Sequence, residues 1–101
     1  MFIAMNRFRI KRGHEETFVD HWRQRESYLD EVPGFVRFNL MRGPQTDEYT
    51  VFASHTEWAS EQAFADWTQS EAFAKAHVNA GKSPREIYMG PPQLELFEAV
   101  L

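Results

Sequence analysis

Strict two-residue alternation in "FIAMNRFRI", a pair of β-rich runs joined by the turn-like "GPQTD", and aromatic residues at helical spacing on either side of that pair predict an α+β fold. The order is βαββαβ, the split βαβ or ferredoxin-like arrangement, with a four-stranded antiparallel sheet and both helices on one face.

The first run divides into a Phe2, Ala4, Asn6, Phe8, Ile10 face and an Ile3, Met5, Arg7, Arg9 face, the pattern of a strand buried on one side. Gly13 ends it. In "HEETFVDHWRQRESYLDE", Phe18, Trp22 and Leu29 recur near helical spacing, and Glu15 and Glu16 occupy the first turn, where carboxylates suit the helix dipole. This helix is expected to end near Asp30. Pro33 and Gly34 punctuate the chain, and "FVRFNLMR" and "EYTVFASHTE" follow as a hairpin around "GPQTD". Ser60 is an acceptable N-cap for a second helix carrying Phe64 and Trp67 on one face, and Ser70 caps a further stretch, "EAFAKAHVNA", so a break is expected there. "GKSPREIYMGPP" reads as a breaker-rich loop and "QLELFEAVL" as the last strand.

With 101 residues there is room for one domain, residues 1–101, and 43% hydrophobic with 15% aromatic content suffices for a core. One sheet face is left bare by this topology, and pairing with a second copy, as a homodimer closing a dimeric α/β barrel, is the natural cover. Arg7, Arg9, Arg37 and Asn39 on the less apolar side of their strands leave open a monomer with a solvated second face. The net charge of −4 and the lack of a basic run argue against nucleic acid as a partner. No segment reaches membrane-spanning length, so no membrane partner is expected. The absence of cysteine removes thiolate nucleophiles and cysteine-based metal sites and is compatible with a reducing cytoplasmic location.

Asn6, Trp67 and His77 stand out. Asn6 is an amide among Phe2, Ala4, Phe8 and Ile10, and a buried amide needs a partner, either neighbouring backbone or something bound. Trp67 at helical spacing from Phe64 is ordinary core or a flat wall. His77, four residues after Phe73, is either a surface residue or a metal ligand, imidazole being a common one. Together they supply an amide, a flat apolar surface and an imidazole, an inventory suited to holding a planar iron porphyrin. His14, His21 and His55 have no convincing ligand partner by spacing.

The chain resembles antibiotic-biosynthesis-monooxygenase domains nearly end to end, and within them the IsdG-type haem-degrading monooxygenases. The resemblance lies in the asparagine of "FIAMNRF", in "VPGFVRFNLMRGP", in "HTEWASEQAFADWTQSEAF" and in the histidine of "KAHVNAG". It implies that Asn6, Trp67 and His77 form a haem site. In it His77 is the proximal iron ligand, Asn6 stands on the opposite side to orient the reactive oxygen, and Trp67 ruffles the macrocycle. Haem is then both substrate and cofactor, with O2 and an external reductase or other electron donor as the remaining partners, since no nucleotide-binding fingerprint occurs. Trp22 and Arg25 on the first helix and Phe64 on the second complete the expected haem contacts, and Arg23, Lys75, Lys82 and Arg85 are further cations for the propionates. The same superfamily contains cofactor-independent monooxygenases of polycyclic phenols, and a non-catalytic haem-binding protein would carry similar residues.

Overall fold

The computed structural model describes residues 1–24, 29–71, 73–74 and 85–101. Strands β1 (Phe2–Lys11), β2 (Phe35–Gln45), β3 (Tyr49–Trp58) and β4 (Gln93–Glu98) form one antiparallel sheet in the order β2-β3-β1-β4. Helix α1 (Glu15–Gln24) connects β1 to β2 and helix α2 (Glu61–Thr68) connects β3 to β4, so the element order is the βαββαβ that the sequence predicts.

Alternation in β1 works as expected: Phe2, Ala4, Phe8 and Ile10 are buried, while Arg7 and Arg9 are exposed. The β1–β3 register then sets the whole inner face, pairing Phe2 with Trp58, Ala4 with Thr56, Asn6 with Ser54, Phe8 with Phe52 and Ile10 with Thr50. Arg7, Arg9, Arg37 and Asn39 all fall on the opposite face, where Arg7 pairs with Glu95 and Arg37 with Glu57.

One expected boundary falls outside the described residues and another needs correction. The described part of α1 stops at Gln24 and residues 25–28 lie outside the described ones, while Asp30, near which the helix is expected to end, lies in a 3₁₀ turn, Leu29–Glu31, that buries Leu29. The hairpin turn is tighter than "GPQTD", because β2 runs through Gly43 and Pro44 to Gln45 with a register shift between Arg42 and Gln45. Proline removes a ladder donor, and Pro44 lies within this register shift on an edge strand, two settings in which a sheet tolerates it.

Caps and turns explain the rest. Gly13 adopts φ +91°, and its N–H donates to a Glu15 carboxylate oxygen at 2.8 Å; the other oxygen accepts from Thr50 Oγ1 at 2.9 Å. Hydrogen bonding from the Glu15 backbone N–H, then from Thr50, holds that carboxyl below its ordinary value. Ser60 caps α2 as expected, its Oγ accepting from the Ala63 N–H at 3.1 Å. Ser70 likewise accepts from the Phe73 N–H at 3.1 Å, so a second turn does start there. Gly34 has φ +84°, and a Cβ placed on it would lie 2.5 Å from Ala63 Cβ, so α2 rests directly on this backbone.

The core is split into two clusters. Phe8, Ile10, Phe18, Phe52 and Ile87 pack under α1 toward one end of the sheet; Phe2, Leu29 and Trp58, joined by Phe35, Phe64 and Trp67, pack under α2 toward the other. Between them the inner face carries Ala4, Asn6, Ser54 and Thr56, side chains too short to bridge the gap.

Candidate active site

A cavity of about 270 Å³ fills that gap. Its floor is Ala4, Asn6, Ser54 and Thr56. One wall is Trp22 stacked on Phe38, with ring centroids 5.6 Å apart and planes 22° apart. The other is Phe64, Trp67 and Phe73, in which Trp67 meets Phe73 edge-on at 4.8 Å and rests on the buried Trp58 at 5.2 Å. These contacts fix the Trp67 indole from behind while leaving it half-exposed to the cavity. The cavity reaches the surface beside Leu94, which is 60% exposed although it sits on the same sheet face as Asn6.

Polar atoms in this apolar space differ in how they are satisfied. Thr56 Oγ1 accepts from Trp58 Nε1 at 3.0 Å and donates to the Ala4 carbonyl at 3.2 Å, and Thr68 Oγ1 donates to the Ala65 carbonyl at 2.7 Å. The Asn6 carboxamide and the Ser54 hydroxyl make no hydrogen bond with any described residue. The backbone-satisfied alternative for Asn6 is therefore not realised: its amide faces the cavity with its donors and acceptor unused.

Asn6, Trp22, Phe64 and Trp67, four of the residues singled out from the sequence, thus line one cavity. Arg25, His77, Lys75 and Lys82 lie outside the described residues. Arg23 lies in a neighbouring groove, exposed and held by Asp20 at 2.6 Å, and does not line this cavity. His14, His21 and His55 are also absent from its lining, and among the described residues no cluster of three or more metal-ligating side chains occurs.

Several lining residues escaped sequence reasoning, and one cause is local. Phe35 and Phe38 are three apart, so simple alternation assigns them to opposite faces. A register irregularity between Phe35 and Arg37 adds one residue to β2, and both rings end on the inner face, opposite Trp58 and Thr56. Ser54 and Leu94 are found only through their pairing with Asn6.

Comparison with known proteins identifies the family. Residues 1–79 match the antibiotic biosynthesis monooxygenase family. Heme-degrading monooxygenases of Bacillus thuringiensis (strain Al Hakam) and Bacillus cereus (strain AH187) are each 27% identical over 84 residues, covering 83% of this chain and 78% of theirs. Among solved structures, the heme-degrader MhuD from Mycobacterium tuberculosis with two hemes bound in its active site is 26% identical, with a TM-score of 0.74 and coverage of 100% of this chain and 97% of that one. An arginine-to-serine MhuD variant with two manganese protoporphyrin IX bound per active site is also 26% identical, with a TM-score of 0.76 and coverage of 100% and 96%. A Bacillus cereus structure carrying the same family description, 18% identical with a TM-score of 0.80 over 99% of this chain and 91% of its own, shares the fold. With its family match spanning the sheet's first three strands and both helices, this chain belongs to the antibiotic biosynthesis monooxygenase family.

Proposed function

We propose that this protein is a cytoplasmic haem-degrading monooxygenase that binds haem as its substrate, opens the tetrapyrrole with O2 and electrons from an external reductant, and releases the iron. The observation that carries this reading is the unpaired Asn6 carboxamide facing a cavity walled by Trp22, Phe38, Phe64, Trp67 and Phe73. A flat apolar ligand is held by such walls, and the free amide in the floor gives it a polar reference point. The relatives named as heme-degrading and the heme-bound MhuD neighbours support the same choice of ligand.

Bound haem supplies the iron that activates oxygen. The chain supplies the rest. His77 is assigned to hold the iron, and Arg25 to meet a propionate. Trp67, backed by Trp58 and Phe73, would press on the macrocycle, while Trp22 and Phe64 would cover its remaining apolar edges. Asn6 donates into the cavity and orients the incoming oxygen toward the ring. The apolar walls exclude water from the reacting edge.

Hemin titration followed by ascorbate and air tests this directly. The expected result is a one-to-one Soret shift, loss of the Soret band on reduction in air, and an opened tetrapyrrole by mass spectrometry. His77→Ala is expected to alter the axial spectrum and abolish turnover. Hemin that binds but survives reduction identifies a carrier instead, and protein that stays colourless while oxidising a polycyclic phenol identifies a cofactor-independent oxygenase.

We infer in addition that two copies pair through the open sheet face. Ile3, Met5 and Val51 are half-buried there beside exposed Met41 and Phe97, an apolar surface interrupted by Arg9, Asn39 and His55 and by the Arg7–Glu95 and Arg37–Glu57 pairs. Sedimentation is expected to give twice the monomer mass, and Phe97→Arg to shift it toward the monomer. A wild-type monomer at micromolar concentration contradicts the pairing.

A further inference from the structure

Ser54 stands directly across from Asn6 in the β1–β3 ladder and across from Leu40 in the β2–β3 ladder. Residues opposite one another on one face of an antiparallel pair have Cβ atoms about 5 Å apart, so the hydroxyl and the carboxamide are immediate neighbours on the cavity floor. The nearby threonines are committed, Thr56 to the Ala4 carbonyl and Trp58, and Thr68 to the Ala65 carbonyl. Ser54 is committed to no described residue. Both groups open onto the cavity without a hydrogen-bond partner among the described residues, so a ligand that fills it meets two adjacent hydrogen-bonding groups at once.

We propose that Ser54 is a second ligand-contacting residue of the site, donating a hydrogen bond to the same small ligand as Asn6 on the sheet-facing side of the haem. The inference rests on the haem reading above and extends it. Asn6 projects its N–H groups further from the backbone than Ser54 projects its hydroxyl, and the two approach from neighbouring strands. A ligand gripped by both is therefore tilted along the line between them, which makes Ser54 a determinant of the ring edge toward which the ligand leans.

Fluoride is a suitable probe because it accepts strong hydrogen bonds and binds ferric haem without turnover. Wild type, Ser54→Ala, Ser54→Thr and Asn6→Ala would be loaded with ferric hemin, followed by the Soret band, and then titrated with sodium fluoride. Ser54→Ala is expected to retain hemin with wild-type affinity and to bind fluoride about fivefold to tenfold more weakly, the scale of one lost hydrogen bond. Ser54→Thr, which keeps the hydroxyl, is expected to restore it. Ser54→Cys, close in shape but a weak donor, repeats the loss without an added void. Fluoride affinity unchanged in both Ser54→Ala and Ser54→Cys, with the Soret shift intact, overturns the Ser54 proposal and leaves the haem reading standing. Absence of a one-to-one Soret shift in the wild type overturns the haem reading and this proposal together.

Discussion

Asn6→Ala is expected to lower haem turnover by about a hundredfold to a thousandfold, the loss that follows removal of one preorganised donor at a reacting oxygen. The same change is expected to leave hemin affinity within about fivefold, because one neutral hydrogen bond contributes on the order of 1 kcal/mol to a ligand held chiefly by apolar walls. The folded state should hardly notice. Asn6 is half-buried and its carboxamide faces the cavity without a partner among the described residues, so its removal breaks no internal hydrogen bond and shortens a side chain at a site that is already a cavity. Thermal unfolding of the apo variant is accordingly expected within about 1 kcal/mol of wild type, in either direction. Single-turnover loss of the Soret band in the presence of ascorbate measures the first effect and calorimetry the second. A variant that degrades haem at the wild-type rate removes Asn6 from the mechanism.

Gly34→Ala is expected to be the most damaging alanine substitution among the described glycines. Its φ of +84° is a region that costs an L-residue about 1–2 kcal/mol, and the new Cβ would meet Ala63 Cβ at 2.5 Å, far inside the about 3.5–4.0 Å of a carbon contact. Ala63 cannot swing away, because its Cβ is fixed to the backbone of α2. The helix must lift instead, breaking the 2.7 Å bond from the Ala59 N–H to the Gly34 carbonyl and withdrawing Phe64 and Trp67 from Trp58. Strain and overpacking together are expected to cost roughly 2–5 kcal/mol, a large part of the stability of a domain this size. A fall in Tm of roughly 10–30 °C follows. The double variant Gly34→Ala, Ala63→Gly is expected to recover part of it, since it removes the clash and keeps the strained φ. A single variant melting within a few degrees of wild type would show that α2 does not rest on this backbone.

Much of this architecture was legible from local pattern. The β1 alternation identified the inner face residue by residue, and the Ser60 and Ser70 hydroxyls cap the turns they precede. Where reading failed, the cause was a departure from regular period. An extra residue near Val36 reverses the parity of β2 and hides Phe38, and an edge strand tolerates the Gly43-Pro44 pair that would end an inner one. The candidate site divides in the same way. Asn6 announced itself as the one amide in an apolar alternation, whereas Ser54 looks like any small polar residue in a strand until the ladder sets it beside Asn6. The aromatic walls were half visible, through Trp22, Phe64 and Trp67; Phe38, Phe73 and Leu94 depend on how distant segments meet. For His77 and Arg25 the resemblance to haem-degrading relatives remains the ground of assignment, both lying outside the described residues.

The hollow between the two apolar clusters is made by brevity: Ala4, Asn6, Ser54 and Thr56 leave space because longer groups are missing there. Strand pairing is a main-chain affair and asks little of these positions, so exchanging four short groups recontours the basin while the scaffold stays as it is. Different guests can in this way be accommodated by one chassis, with selectivity written into a patch a few ångströms wide.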